Sequence, residues 1–524
     1  MNVKAHKKKV KRKLKGLTKI LFSRIAIIVL LVILQIGLII AAFDWLRERS
    51  VYFYGFFLVV TVLTVIAIIN ERSNPMIKLA WIVPVLVFPV GGVLFYLFMQ
   101  TQLAPKMIAY RLRELLHKTE PYLQQDEQTF LEVKEKDIQI SNLAYYVGKK
   151  GGYPIYKNSS VTYFPIGEKK FEELINQLRQ AKHFIFMEYF IVEEGYMWNT
   201  ILDILIEKAS KGVEVRFMYD GMCSVTMLPY NYPKTLQEFG IKSKIFSPIR
   251  PVLSSHQNNR DHRKIVVIDG KVAFTGGVNL ADEYINKKVR FGHWKDNAIM
   301  IKGEAVRSFL IMFLQMWNIT EKKEEDYEKY LCYVDQEETI VDDGFVMPYG
   351  DSPFDEENVG EEVYMNMIYR AKHYVHIMTP YLILDNEMLR ALIFSAKSGV
   401  DVKIIMPHIP DKWYAFVLAK TYYGELIDAG VKIYEYTPGF VHAKTFIVDG
   451  EEAVVGTINL DFRSLYLHFE DATYLYQNSE IDKIEEDYEN TLKKCMLITK
   501  EMCKRLALKE RVAGRILRLF APLM

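Results

Sequence analysis

Two pseudo-symmetric αβ lobes, mixed sheets flanked by helices, preceded by an N-terminal transmembrane helical region: three observations in the sequence predict this fold. Apolar runs of bilayer-spanning length crowd the first hundred residues, strand-like and helix-like stretches alternate through the rest, and the order of those stretches occurs twice. At 524 residues the chain is too long for one ordinary domain. It reads as a basic cytoplasmic tail over 1–20, a membrane region over 21–100, a first lobe over 101–335 and a second over 336–524.

Charge separates tail from body. Residues 1–24 carry ten Lys or Arg and no acid, so a net charge of +3 leaves −7 on the other 500 residues. A net acidic body argues against a nucleic-acid partner, which needs Lys and Arg spread over one face. Cys223, Cys332, Cys495 and Cys503 form no CxxC pair and no zinc-ligand spacing, which predicts four free thiols and no metal.

The run over 21–43 has one charge near its start and reaches roughly 34 Å as a helix, enough to cross a bilayer. A second uncharged run covers 51–69. The third, 79–98, contains Pro84, Pro89, Gly91 and Gly92, which break or kink a helix, so it either spans or dips in and returns. No small-residue cleavage site follows the first run, which reads as an anchor rather than a signal peptide. The positive-inside rule keeps the tail in the cytoplasm of a multi-pass cell-membrane protein. The large domain lies outside if the third run crosses and inside if it re-enters, the cytoplasmic side being preferred.

The repeat is visible in landmarks. AKHFIFMEYFIV, KGVEVRFMYDG and FGIKSKIFSP precede a motif in the first half, as AKHYVHIMTPYLI, SGVDVKIIMP and AGVKIYEYTPGF do in the second. Lys182 and His183 match Lys372 and His373 at an offset of 190, as Gly240 matches Gly430, whereas His262 and His442 are 180 apart. The difference is a ten-residue insertion between Pro248 and His262, a polar loop beside the site that forms part of its wall.

The motif is His-x-Lys-x4-Asp: His262, Lys264 and Asp269, followed by Gly276, Gly277 and Asn279, then His442, Lys444 and Asp449, followed by Gly456, Thr457 and Asn459. On a strand the His and Lys share one face while Arg263 or Ala443 points away. Each half thus offers an imidazole, an ammonium to neutralise phosphate charge and a carboxamide donor. Displacement at a phosphodiester needs a neutral imidazole to attack and a protonated one to release the alkoxide, so two facing copies are required. Two Lys and two Asn can neutralise the transferring group with no metal or other cofactor. A nucleophilic His needs an acceptor on its second ring nitrogen, and Asp296 and Glu470, in otherwise apolar strands after the motifs, are the candidates. Asp269 and Asp449, at strand ends before a Gly, brace their loops rather than touch phosphate. His183 and His373 read as structural, and His293 and Trp294 as pocket border. The C-terminal RLALKERVAGRILRLFAPLM fits an interfacial helix or a packed one.

HRKIVVIDGKVAFTGGVNLADEYI, FGHWKDN, TPYLILDNEMLRALIFSAKSGVDVKIIMP, FVHAKTFIVDG and VGTINLDFRS resemble the two catalytic lobes of the cardiolipin synthase branch of the phospholipase D superfamily, and SNPMIKLAWIVPVLVFPVGGVLFYLF resembles its membrane module. The resemblance runs from about Asn70 to Met524. It implies two phospholipase D-like lobes and transfer of a phosphatidyl group from one phosphatidylglycerol to the glycerol hydroxyl of another, giving cardiolipin and glycerol. It also implies that His262 is the nucleophile, forming a phosphohistidine, and His442 the general acid and then base, with phosphatidylglycerol and other anionic phospholipids of the membrane as partners. His468 stands where the family has Asn, Cys223 where it has Gly, and the span at 21–43 is additional. A phospholipase D using water as acceptor, a nuclease of the same superfamily and a non-catalytic membrane scaffold are the alternatives; the acidic body and the spans disfavour the nuclease, and the complete motifs disfavour the scaffold.

Overall fold

The computed structural model describes residues 50–523 except 101–102, 224–226, 230, 249–258, 322, 324, 335–342 and 356, together with Gly37. The predicted tail, the span at 21–43, most of the inserted loop and the boundary between lobes lie outside the described residues. The chain divides into an N-terminal helical unit up to Pro105 and a larger unit from Lys106.

Among the described residues the N-terminal unit has three helices: α1 (Ser50–Asn70), α2 (Pro75–Val87) and α3 (Pro89–Gln100). Pro75 opens α2 and the Asn74 side chain accepts from the Met76 N–H at 2.9 Å, the two standard devices of a helix start. The third apolar run does not continue as one helix. It breaks at Phe88, before Pro89, and α3 doubles back so that Trp81 packs on Phe95 and Tyr96, each at 5.6 Å between ring centres. Gly92 permits the approach, since a Cβ there would stand 2.5 Å from the Pro84 carbonyl oxygen. Ile68 of α1, Val85 of α2, and Val93 and Tyr96 of α3 close a small core. Residues 79–98, for which the sequence left a crossing and a re-entrant path open, thus belong to a helical hairpin, whose arms of 13 and 12 residues reach about 20 Å and 18 Å against a hydrocarbon layer of about 30 Å. Among the described residues no helix is long and apolar enough to cross a membrane.

The larger unit contains two sheets of one plan. The first lobe supplies β1 (Ser159–Phe164), β2 (Phe184–Tyr189), β3 (Glu214–Asp220), β4 (Lys242–Phe246), β5 (Arg260–Asp261), β6 (Lys264–Ile268), β7 (Val272–Gly276), β8 (His293–Lys295) and β9 (Ala298–Gly303). The second supplies β10 (Phe345–Asp351), β11 (Tyr374–Met378), β12 (Leu382–Ile383), β13 (Asp401–Pro407), β14 (Lys432–Tyr436), β15 (Gly439–Val441), β16 (Thr445–Val448), β17 (Glu452–Gly456), β18 (Leu460–Asp461), β19 (His468–Tyr476) and β20 (Cys495–Leu497). One sheet runs β1-β9-β7-β6-β2-β3-β4 and the other β10-β19-β17-β16-β11-β13-β14-β20, so seven positions correspond and β20 is an added edge. In each, three parallel strands, linked by the crossovers that the αβ pattern demands, adjoin an antiparallel motif hairpin.

Burial follows the residue pattern. KIVVI in β6 is buried throughout, as expected of a strand covered on both faces. Helix α4 (Gly167–Gln180) buries Phe171, Leu174, Ile175 and Leu178, an i, i+3, i+4, i+7 stripe, while α5 (Val306–Asn318) is buried at every residue but Arg307 and packs against β2 and β6. The four cysteines are free.

Asp269 and Asp449 brace the fold. Each opens the turn of its motif hairpin at φ 53°, with Gly270 and Gly450 at φ 68° and 71°, the paired left-handed conformation of a tight two-residue turn. The Asp269 carboxylate accepts the backbone N–H groups of Lys182, His183 and Phe184 at 2.6, 2.7 and 2.8 Å, and Asp449 those of Lys372, His373 and Tyr374 at 2.7, 2.8 and 2.8 Å. The repeated Lys-His pair is thus the start of β2 and of β11, pinned by its backbone. Asp269→Ala is expected to cost on the order of 3 kcal/mol by stripping charged acceptors from three buried or half-buried donors. Urea unfolding measures this, and an unchanged midpoint would remove the bracing role.

Candidate active site

Each motif histidine is delivered to the opposite lobe by a short parallel ladder. β5 pairs with the start of β19, Arg260 opposite His468 and Asp261 opposite Phe469, and the His262 N–H then donates to the Phe469 carbonyl at 2.9 Å. β15 pairs with β8 in the same sense, and the His442 N–H donates to the Lys295 carbonyl at 2.7 Å. The residue after each accepting carbonyl is a carboxylate. His262 Nδ1 lies 2.8 Å from Glu470 Oε2, and His442 Nδ1 lies 2.7 Å from Asp296 Oδ2. The two acceptors predicted from sequence are therefore brought to the two histidines, and each comes from the other lobe. An Nδ1–H donated to a carboxylate leaves Nε2 with its lone pair free, the tautomer a nucleophile or base requires.

The support beneath these pairs differs between lobes. A Cβ at Gly277 would lie 1.9 Å from Asp296 Oδ1, so Asp296 occupies the space that any side chain there would take. Its other contacts are the Asn297 N–H at 2.9 Å and the Trp294 indole at 3.4 Å. At the equivalent position Thr457 donates its hydroxyl to Glu470 Oε2 at 2.5 Å, the longer Glu side chain clearing it.

Lys264 and Lys444 each donate to the carbonyl of their own histidine, and Lys444 Nζ also lies 2.9 Å from His442 Nδ1. Burial, then the charges of Lys264 and Lys444, push the His262 imidazole well below its ordinary range. Burial, then Lys444, brings His442 down to about 4, with Lys264 adding to the effect. Each imidazole thus feels the charge of the lysine of the opposite motif, which sets the two motifs near one another. Burial lowers Lys264 to about 8 and Lys444 to about 7. It would raise Asp296, but the charges of His442 and Lys444 hold that carboxyl below its usual value.

The motif carboxamides are engaged in support. Asn279 accepts the Ile191 N–H at 3.0 Å and donates to the Tyr284 hydroxyl at 2.9 Å, and Asn459 donates to Ser464 at 3.0 Å. Asp269 and Asp449 are committed to the strand starts, and so stand outside the reacting groups. Trp294 borders His442 at 5.4 Å between ring centres, whereas His293 is turned to the Tyr436 hydroxyl at 3.1 Å. Phe190, 4.8 Å from His262, and Tyr284, 5.4 Å from His442, complete the apolar wall and were not singled out from sequence.

The family model described as Cardiolipin synthase, PLD-like domain matches residues 174–317 and 364–492, more than half the chain. The chain belongs to the cardiolipin synthase family. Residues 59–99 match the model described as Phospholipase D-nuclease N-terminal. A protein of Streptococcus mutans described as uncharacterized is 50% identical over 88% of this chain and 99% of its own. Cardiolipin synthases of Alkalihalophilus pseudofirmus and Halalkalibacterium halodurans are 36% and 34% identical over 88% and 96% of this chain and 91% and 100% of theirs. The crystal structure of phosphatidylserine synthase from Haemophilus influenzae matches with a TM-score of 0.55 over 73% of this chain and 98% of that one, at 13% identity, a likeness of fold.

Gly277→Ala drives a methyl into Asp296 and should uncouple it from His442, lowering cardiolipin formation by at least about a hundredfold, the scale of a lost acid–base partner. Turnover near the parent rate would mean that Asp296 does not act through His442.

Proposed function

We propose that the protein is a membrane-bound phosphatidyltransferase that makes cardiolipin and glycerol from two molecules of phosphatidylglycerol. The observation that carries this reading is the reciprocal pairing of His262 with Glu470 and His442 with Asp296, which supplies two oriented imidazoles to one buried pocket. His442 takes a proton on Nε2 from solvent as the anionic substrate binds; His262 Nε2 then attacks phosphorus, forming a P–N bond as the P–O bond to glycerol breaks, and His442 gives that proton to the departing oxygen. His442 then takes the proton of the second lipid's glycerol hydroxyl, which attacks phosphorus and breaks the P–N bond. Lys264 and Lys444 neutralise the non-bridging oxygens, while Asn279 ties Ile191 to Tyr284 and Asn459 bonds Ser464 beside them. The family's relatives that are cardiolipin synthases, the exposed apolar residues of α1 and the hairpin, and the basic C-terminal helix support lipid substrates and a cell-membrane location. The division into a basic tail, a membrane region and two lobes is part of the proposal.

The test is product analysis in micelles of labelled phosphatidylglycerol with chelator present. Cardiolipin and glycerol are expected, and phosphatidic acid alone would make the protein a hydrolase. His262→Ala and His442→Ala should each abolish turnover, and Lys264→Ala or Lys444→Ala should cost at least on the order of a hundredfold. Full activity in either histidine variant would refute the shared pocket.

The pH profile has a definite sign. His442 is neutral above about pH 4 and the His262 imidazole is pushed well below its ordinary range, so neither sets an acid limb near neutrality, whereas a lysine is charged only below its own pKa. As pH rises through 7 and 8, Lys444 and then Lys264 lose charge and kcat/KM should fall. Lys444→Arg keeps its charge at every pH and should move the alkaline limb upward, whatever its peak rate. A limb that stays in place assigns it to another group.

A further inference from the structure

Beside His262 stands an imidazole that neither fold nor proposed reaction uses. His468 is 8% exposed, and among the described residues neither of its ring nitrogens has a hydrogen-bond partner. Its Nδ1 is 3.6 Å from Glu470 Oε1, too long for a hydrogen bond, and that oxygen is also without one. Buried polar atoms are almost always satisfied, so three at one point mark a place built for something else.

The three side chains share a ligand geometry. His262, His468 and Glu470 each present one donor atom, all within 4.8 Å of one another. Zinc bonds to imidazole nitrogen at about 2.0–2.1 Å, so donors roughly 3.4 Å apart surround it, and rotation of His468 supplies the closure. Two imidazoles and a carboxylate suit a borderline dication such as Zn²⁺, and suit Mg²⁺ or Ca²⁺ poorly. The geometry points to a Zn²⁺-type inhibitory site formed by His262, His468 and Glu470. Binding displaces the His262 Nδ1 proton to solvent and takes Glu470 from its partner, so the imidazole is held by a cation instead of a carboxylate and its Nε2 loses electron density. Lys264 and Lys444 lie beside His262 and their positive charge opposes the metal, which weakens binding.

The inhibitory half rests on the function proposed above, but the binding half does not, and the test separates them. Full-length protein in neutral detergent, freed of metal by chelation, is titrated with Zn²⁺ against a chromophoric chelator, and its unfolding temperature is followed. One equivalent should bind and raise that temperature. His468→Asn should weaken binding at least tenfold and lose the thermal shift, while His376→Gln, which dismantles the other cluster of ligand type, His376 with Glu485 and Glu489, should bind as the parent does. Cardiolipin formation, each variant scaled to its own metal-free rate, should be inhibited by Zn²⁺ in the parent, restored by chelator, and at least tenfold less sensitive in His468→Asn. Parent-like Zn²⁺ affinity in His468→Asn, no stoichiometric binding, or loss of binding in His376→Gln would overturn the site. Binding as expected without inhibition would overturn the inhibitory role and leave the reaction assignment to the product assay.

Discussion

The exchange of carboxylates between lobes is the constraint on which the site depends. His262 is held by Glu470 and His442 by Asp296, so neither lobe contains a complete imidazole–carboxylate pair. The exchange is fixed by backbone register before any side chain acts: β5 on β19 and β15 on β8 set each histidine one residue from the carboxylate it needs. Parting the lobes would separate each imidazole from the buried carboxylate that fixes its tautomer. Lobe association and the catalytic tautomers therefore stand or fall together.

Charge in the pocket follows from that arrangement. Two carboxylates, two lysines and two neutral imidazoles sum to zero, which a desolvated site tolerates better than any surplus. A phosphodiester adds one negative charge. A proton on one imidazole restores neutrality, so the substrate itself supplies the charge that makes an acid of a group lowered to about 4 in the free protein. The low pKa values of the imidazoles thus describe a site waiting for an anion.

Much of this was legible in the sequence. The two His-x-Lys-x4-Asp motifs and the 190-residue offset of the Lys-His pairs reported the duplication, and the Asp-Gly turns reported both hairpins because a turn depends on neighbours in the chain, whereas the strand starts that Asp269 and Asp449 hold lie 85–87 and 75–77 residues away and needed the fold. Pro89, Gly91 and Gly92 reported a break in the third apolar run; that α3 folds back along α2 needed the contact of Gly92 with Pro84. Asp296 and Glu470 were visible as acids in apolar strands, but not which histidine each would hold, since swapped and unswapped pairing present the same one-dimensional pattern. Phe190 and Tyr284 carried no signal beyond apolar strand and loop composition, and His468 showed only as a departure from the family at one position.

The unequal support of the two pairs bears on a question the motifs leave open, namely which histidine attacks. Asp296 rests against the backbone at Gly277 and is kept strongly ionised beside His442, an environment that favours an imidazolium there. Glu470 shares its Oε2 between His262 and the Thr457 hydroxyl, so less of its charge is available to His262. His262, lowered well below the ordinary range by burial and both lysines, resists protonation more than His442 does. On the proposed mechanism the group that must stay unprotonated to attack is His262, and the one that must gain and lose a proton is His442. The order that resemblance implies is thus the order that the Gly277–Asp296 and Thr457–Glu470 environments favour on electrostatic grounds.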